Sequence, residues 1–143
     1  MTLSFPHGDL TGKILEGFHI TYNELGSGFS EGVSRAALSI VLRGMGLKAE
    51  IEVPIHVQFR GQIIGQFFAD MVVNDTVLVE IKAGVTLEGW PEAQILNYLK
   101  SSGGGVGLLL NFGRRREHKR FVVGDNPSNS LPLLRQASPI PKA

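Results

Sequence analysis

Three residues are of kinds, and at a spacing, that allow joint chemistry: Asp70, Glu80 and Lys82. The stretch Val77-Leu78-Val79-Glu80-Ile81-Lys82-Ala83 has the composition of a strand, and alternate side chains of a strand share a face. Val77, Val79 and Ile81 then point one way, and Leu78, Glu80 and Lys82 the other. The first face is apolar throughout and belongs to a core. The second sets a carboxylate beside an ammonium, and Asp70, if it lies on the neighbouring strand, brings a second carboxylate to the same spot. Such a set suits a hard divalent cation, because magnesium takes one or two carboxylates together with water and substrate phosphate. A metal there makes its bound water a better nucleophile and screens charge building on the phosphate. An adjacent lysine orients or deprotonates that water and stabilises the transition state. The competing reading is a plain salt bridge between Glu80 and Lys82 on a solvated sheet face, and the spacing alone does not decide between the two.

The flanking segments must position these residues. Leu10, Ile14, Leu15, Phe18 and Tyr22 recur at helical spacing, which predicts a helix over 10–24, broken by Leu25-Gly26-Ser27-Gly28. A second helix is predicted over 29–44, with Val33, Ala36, Ala37, Ile40 and Val41 as its apolar stripe and Gly44 and Gly46 ending it. The period then changes to two. Ala49, Ile51 and Val53 alternate with Glu50 and Glu52, and the extended chain continues from Ile55 to Phe59. Arg60-Gly61-Gln62 reads as a turn into a strand from Ile63 to Val73, and Asn74-Asp75 as a second turn into a strand from Thr76 to Ala83. Pro91 suits the first turn of a third helix, whose face is Ala93, Ile95, Leu96 and Leu99 and which runs to Ser101. Gly103-Gly104-Gly105 joins a helix to a strand, the wrong order for a phosphate-cradling loop, so it reads as a connector. Val106 to Asn111 is the continuous apolar run of a strand buried on both faces, and Arg120 to Val123 an edge strand.

Composition narrows the function classes. The chain has 143 residues, 43% apolar and 19% charged, as in a globular domain with a real core. It has no cysteine, which removes disulfides, cysteine-based zinc sites and thiol nucleophiles and fits a reducing, cytoplasmic setting. The first residues lack the basic start and long apolar run of a secretory signal, and no stretch approaches the roughly 20 apolar residues of a membrane span. His7, His19, His56 and His118 show no ligand spacing for zinc. The net charge is only +1, so any attraction to nucleic acid must come from local clustering. The one such cluster is Arg114-Arg115-Arg116-Glu117-His118-Lys119-Arg120, expected in the connection between the last two strands. It reads either as a turn charged for solubility or as a phosphate-contacting patch, since arginine's planar fork matches phosphate oxygens.

The string Asp70, then Glu80-Ile81-Lys82, resembles the signature of the PD-(D/E)xK phosphodiesterase superfamily. The stretch from about Glu24 to Val123 resembles, within it, the small bacterial and archaeal GxxExxY proteins. The marks are Glu24-Leu25-Gly26-x-Gly28-x-x-Glu31, Glu52-Val53-Pro54-Ile55, Ala69-Asp70, Val79-Glu80-Ile81-Lys82-Ala83, Ala93-Gln94-Ile95-Leu96-Asn97-Tyr98-Leu99 and Gly107-Leu108-Leu109-Leu110-Asn111-Phe112-Gly113. The resemblance implies that Asp70 and Glu80 bind Mg2+ or Mn2+, that the backbone carbonyl of Ile81 is a further ligand, and that Lys82 is the catalytic lysine. It implies that Glu31 is an additional acidic residue at the metal, and that Gln94 is the helical glutamine of RecB-like and resolvase-like members. Helical spacing puts Gln94 and Tyr98 on one face; without the resemblance both would read as boundary residues. The chain departs from the pattern at Ser34, where the family name demands tyrosine, and at Pro91, often a histidine in these proteins.

The expected fold is α/β and restriction-endonuclease-like, a mixed central β-sheet flanked by α-helices. Residues 1–123 would form one nuclease-like domain, and 124–143 a poorly ordered tail in which Leu131, Leu133 and Leu134 could dock. The expected function is a metal-dependent nuclease acting on nucleic acid, DNA in the first instance, with Arg114, Arg115, Arg116, Lys119, Arg120 and Tyr98 contacting the strand. The alternative is a nucleic-acid-binding module that keeps the fold without turnover. No membrane partner is expected, a homodimer is compatible with the sequence, and fold alone does not establish the chemistry.

Overall fold

The computed structural model describes residues 7–84 and 92–124. Pro91 and most of the 124–143 tail, with its three leucines, lie outside the described residues. The order of elements is α1 (Gly8–Leu25), α2 (Glu31–Gly44), β1 (Ala49–Phe59), β2 (Gln62–Val73), β3 (Val77–Lys82), α3 (Glu92–Ser101), β4 (Gly105–Asn111) and β5 (Glu117–Val123). The five strands form one sheet in sequence order. Only β3 and β4 are parallel, joined through α3 as a crossover requires; the other pairs are antiparallel. The sheet is therefore mixed, and α2 and α3 both touch it.

The helices cover opposite faces. Ile14, Phe18, Leu38 and Leu42 of α1 and α2 pack on Val77, Val79, Ile81, Val106, Leu108 and Leu110. Ile95 and Leu99 of α3 pack with Leu78, Val72, Ala69 and Ile55 on the other side. The predicted alternation along 77–82 is thus real, but both faces are covered: Glu80 is 7% exposed, so it does not lie on a solvated sheet face. Asn74, Asp75 and Thr76 join β2 to β3: Asn74 and Asp75 are both at positive φ, 52° and 53°, and the Thr76 N–H closes the turn on the Val73 carbonyl at 3.0 Å.

The apolar stripe predicted for α2 is rotated from the buried one. Val33 and Ile40 are 45% and 69% exposed, and the core takes Leu38 and Leu42 with the small Ser34 and Ser39. Both stripes carry large apolar residues at helical spacing, and the buried one, completed by two serines, is the one that fits against α1. There Gly17 admits Leu42, whose Cδ2 would stand 2.5 Å from any Cβ at that position. The helix starts at Glu31, later than expected, because the Ser30 hydroxyl accepts the Val33 N–H (3.2 Å) and caps it. The last strand starts at Glu117 and not at Arg120 as expected, so Lys119 joins Arg120 in the strand and is not part of the basic turn.

β1 and β2 turn over partway along. Ala49, Met71 and Val73 belong to the α1/α2 side, yet Ile55 and Ala69 belong to the α3 side, with Val53 and Phe67 packed there. The change falls at the pair Glu52 and Asp70, between the partners Ile51↔Met71 and Val53↔Ala69. Glu52 has φ 53°, a left-handed conformation that costs a non-glycine residue about 1–3 kcal/mol. Beyond this pair β2 no longer follows β3, since their ladder comprises only Met71↔Val79, Val72↔Leu78 and Val73↔Val77. The hairpin arm 53–69 therefore diverges from β3, and the strands fork at Asp70.

The open end of the sheet is tied by Asn111, fully buried at the end of β4. Its Oδ1 accepts from the N–H groups of Gly84 (2.9 Å) and Gly113 (3.1 Å), and its Nδ2 donates to the carbonyls of Gly84 (3.1 Å) and Arg115 (3.0 Å). All four hydrogen-bonding sites of the amide are used. The backbones it joins lie so close that a Cβ on Gly113 would stand 1.6 Å from the Gly84 oxygen. Asn111→Ala takes the partner from four backbone groups, that of Gly113 buried and the others part-buried, and urea unfolding should show a loss of about 3 kcal/mol. A loss below about 1 kcal/mol would show that the two loops hold together without it.

Candidate active site

The fork between β2 and β3 brings the predicted residues together through backbone and side-chain bonds. Where the ladder would continue, the Asp70 carboxylate takes over: its Oδ2 accepts the Ile81 N–H at 2.8 Å. In return the Asp70 N–H points at Glu80 Oε1 (3.3 Å). The two carboxyl groups are close enough to share a hydrogen bond when Glu80 is protonated. From α2, Glu31 reaches the same strand end, where its Oε2 accepts the Ala83 N–H at 3.2 Å. From α3, Gln94 lines a recess of about 10 Å³ together with Glu80, Lys82, Ile95 and Leu109. That is room for about one water molecule. Gln94 Nε2 donates to the Tyr98 hydroxyl, and Tyr98 lies stacked on Phe67 of the arm, ring centroids 3.6 Å apart and 14° from parallel. Tyr98 is thereby packed between α3 and the arm.

The electrostatics of the fork are those of an uncompensated acid. Burial, and then the charge of Asp70, push the Glu80 carboxyl up to about 8; the Asp70 N–H and the charge of Lys82 pull the other way. Asp70 and Glu80 with a backbone carbonyl, such as that of Ile81, make an all-oxygen donor set of the size magnesium or manganese accepts. The carboxyl that resists ionisation is the one a divalent cation would satisfy, so the residues present fit the group. The limit is that, among the described residues, no three His, Cys, Asp or Glu side chains are grouped as a metal cluster. Glu31 stands at the margin, occupied with Ala83.

Reading the sequence does not reveal two participants. Arg35, one turn after Glu31, places Nη1 3.5 Å from Asp70 Oδ1 and Nη2 3.0 Å from Glu52 Oε1. Glu52 appears in the sequence only as part of the Glu52-Val53-Pro54 string; its partnership with Arg35 needs the left-handed turn in β1, which nothing in the string announces. Ser34, one residue before Arg35, is buried, and its hydroxyl finds no partner among the described residues.

The basic segment divides. Arg114 and Arg115 are exposed on a turn whose backbone is held by the Tyr22 hydroxyl, 2.5 Å from the Gly113 oxygen and 3.2 Å from that of Arg114. Arg116 donates to Asn23 (2.7 Å) and lies 5.3 Å over the Tyr22 ring. Lys119 is paired with Glu92 of α3, whereas Arg120 falls on the opposite face of β5 and is partly buried, which pulls its pKa down. The predicted cluster is thus one exposed turn followed by a strand whose charges face apart. His19 and His118, remote in sequence, stand with ring centroids 6.5 Å apart, and burial and then the charge of Arg116 lower the pKa of His19.

The Glu80 reading has a sign. A carboxyl whose pKa is raised in the folded state contributes stability below its unfolded value of 4.5 that is lost as pH rises to about 8. In the presence of chelator, Glu80→Gln should match the wild-type protein near pH 4 in urea unfolding. It should exceed the wild type at pH 8 by on the order of a few kcal/mol. A difference that stays flat across this range would mean that Glu80 titrates as an ordinary carboxylate.

No curated protein matches the chain. One solved structure, described as the crystal structure of SSO0001, is similar at a TM-score of 0.47 and 17% identity, over 91% of this chain and 65% of that one. This chain thus spans just under two thirds of that protein's length. No helix among the described residues is long and apolar enough to cross a membrane. The model of the PD-(D/E)XK nuclease superfamily matches residues 8–121, from the start of α1 into β5 and across the whole fork. The mixed sheet, the fork and that match lead to one conclusion: the chain belongs to the PD-(D/E)XK nuclease superfamily.

Proposed function

We propose that this protein is a divalent-metal-dependent nuclease of the GxxExxY type that hydrolyses phosphodiester bonds of nucleic acid, DNA in the first instance. The observation that carries the reading is the buried Glu80 carboxyl set against Asp70 in the β2–β3 fork, with Lys82 two residues on. Asp70, Glu80 and the Ile81 carbonyl would hold Mg2+ or Mn2+, with Glu31 as a neighbouring acid that releases Ala83 if it joins. When bound, the ion would lower the pKa of its water and screen charge on the scissile phosphate. Lys82 faces the water-sized recess, where its ammonium can fix the position of a nucleophilic water and meet the charge developing on the phosphate. Gln94 offers that water a second hydrogen-bonding partner, and its bond to Tyr98 holds the amide in place. Arg114 and Arg115 extend from the turn at the same end of the sheet, suited to backbone phosphates and not to base readout.

A second reading, a nucleic-acid-binding module without turnover, draws on Ser34 in the tyrosine slot and on the commitment of Glu31 to Ala83. One experiment separates them: single-stranded, duplex, flapped and branched DNA and RNA incubated with Mn2+, with Mg2+ and with chelator. The nuclease reading expects metal-dependent cleavage that falls at least about 1,000-fold in Asp70→Asn and Glu80→Gln. It expects Lys82→Ala to lose turnover while calorimetry shows Mn2+ binding intact. Cleavage that survives both carboxylate changes would refute the assignment. Nucleic-acid binding with no cleavage under any condition would favour the binding module.

A further inference from the structure

Asp70 has two oxygens, and they have different partners. Oδ2 takes the Ile81 N–H at 2.8 Å, the bond that anchors the fork. Oδ1 is the oxygen left for a cation, and it is the one that Arg35 touches, at 3.5 Å. The same guanidinium makes its closer contact, 3.0 Å, with Glu52. Arg35 is mostly buried, its side chain 21% exposed, and its Nε is enclosed without a partner among the described residues. A pivot of the planar fork suffices to move from one carboxylate to the other. Glu52 is 63% exposed and able to take the whole charge. Regular alternation from Ala49 would send Glu52 to the α3 side of the sheet; the left-handed turn at φ 53° goes with its meeting Arg35 on α2 instead. An unfavourable backbone conformation at a non-glycine residue thus coincides with the one carboxylate that can receive this arginine.

We propose that Arg35 is a built-in counter-cation for Asp70, which yields Oδ1 to an incoming divalent cation by withdrawing onto Glu52. The proposal rests on the metal-dependent reading above. It makes Arg35 a positioning residue: in the absence of metal it holds Asp70 Oδ1 in place beside Glu80, and its withdrawal is part of metal binding. Glu52 is then the second half of the device, acting on metal affinity only through Arg35.

The two halves predict opposite effects, which neither a simple prop nor a structural salt bridge would give. Calorimetric titration of Mn2+ into the full chain is the readout, with circular dichroism to verify folding. Arg35→Gln removes the competing charge, so Mn2+ should bind about tenfold tighter, the effect of one unit charge a few ångströms away in a partly solvated site. Glu52→Gln removes the place of withdrawal, so binding should weaken by about as much. The double variant should behave as Arg35→Gln alone. Arg35→Met, which also removes the charge, should tighten binding likewise and serves if the glutamine variant does not fold. Weaker binding in both single variants would make Arg35 a mere support for Asp70 and overturn the proposal, as would unchanged affinity in both. Failure of the wild-type protein to bind Mn2+ at all would overturn this proposal together with the reading it rests on.

Discussion

The hydrogen bond from the Ile81 N–H to Asp70 Oδ2 is the constraint on which the rest of the site depends. A backbone N–H in the middle of a sheet must find an acceptor, and the neighbouring strand ordinarily supplies its carbonyl. Here the last such pair is Met71↔Val79, and one step later a side chain stands in for the backbone. The substitution lets β2 leave β3 without orphaning the donor, and it fixes the orientation of the carboxylate in doing so. The arm of β1 and β2 diverges because of it, the paired strands turn over at Glu52 and Asp70, and the Glu80 side chain is brought under the Asp70 N–H.

Once the fork exists, its charge balance decides what it can do. Glu80 is buried between β2, β4 and α3, a place that disfavours an ionised carboxyl, and the nearest acid makes matters worse. Arg35 answers for Asp70, but its second contact leads away to Glu52. The fork therefore carries an electrostatic cost that the protein's own cations leave in place. Perturbed carboxyls of this kind cluster at functional sites, since a group that is poor for stability is kept for what it binds. The cost is carried by a frame stiffened around it: the four-way Asn111 amide behind β3, and the Phe67–Tyr98 stack that ties the arm to α3.

Much of this frame is legible in the sequence because it is local. The alternation of Val77 to Lys82, the Asn74-Asp75 turn and the unbroken apolar run of β4 each follow from a few adjacent residues, and together they give the mixed sheet. The site is legible in part: the strand period puts Glu80 and Lys82 on one face, while the partnership of Asp70 with Ile81 needs the structure. What stays hidden has a common cause, dependence on contacts between distant segments. Val33 and Ile40 are as apolar as Leu38 and Leu42, and only the close approach at Gly17 selects between the stripes. The backbone reversal at Glu52, and with it the Arg35 contact, has no glycine or turn motif to mark it. The basic segment reads as one patch until β5 is seen to begin at Glu117, which sends Lys119 and Arg120 to opposite faces.

The central claim, that the fork is a cation site organised by the Asp70–Ile81 bond, is tested most directly by locating the ion. Crystals of the protein soaked in Mn2+ and measured for anomalous scattering should show an ion between Asp70 Oδ1, Glu80 and the Ile81 carbonyl. Its oxygen distances should be roughly 2.0–2.6 Å, and the Ile81 N–H should still be on Asp70 Oδ2. An ion bound elsewhere while Asp70 and Glu80 keep each other's company, or a fork that stays without metal at saturating Mn2+, would contradict the account.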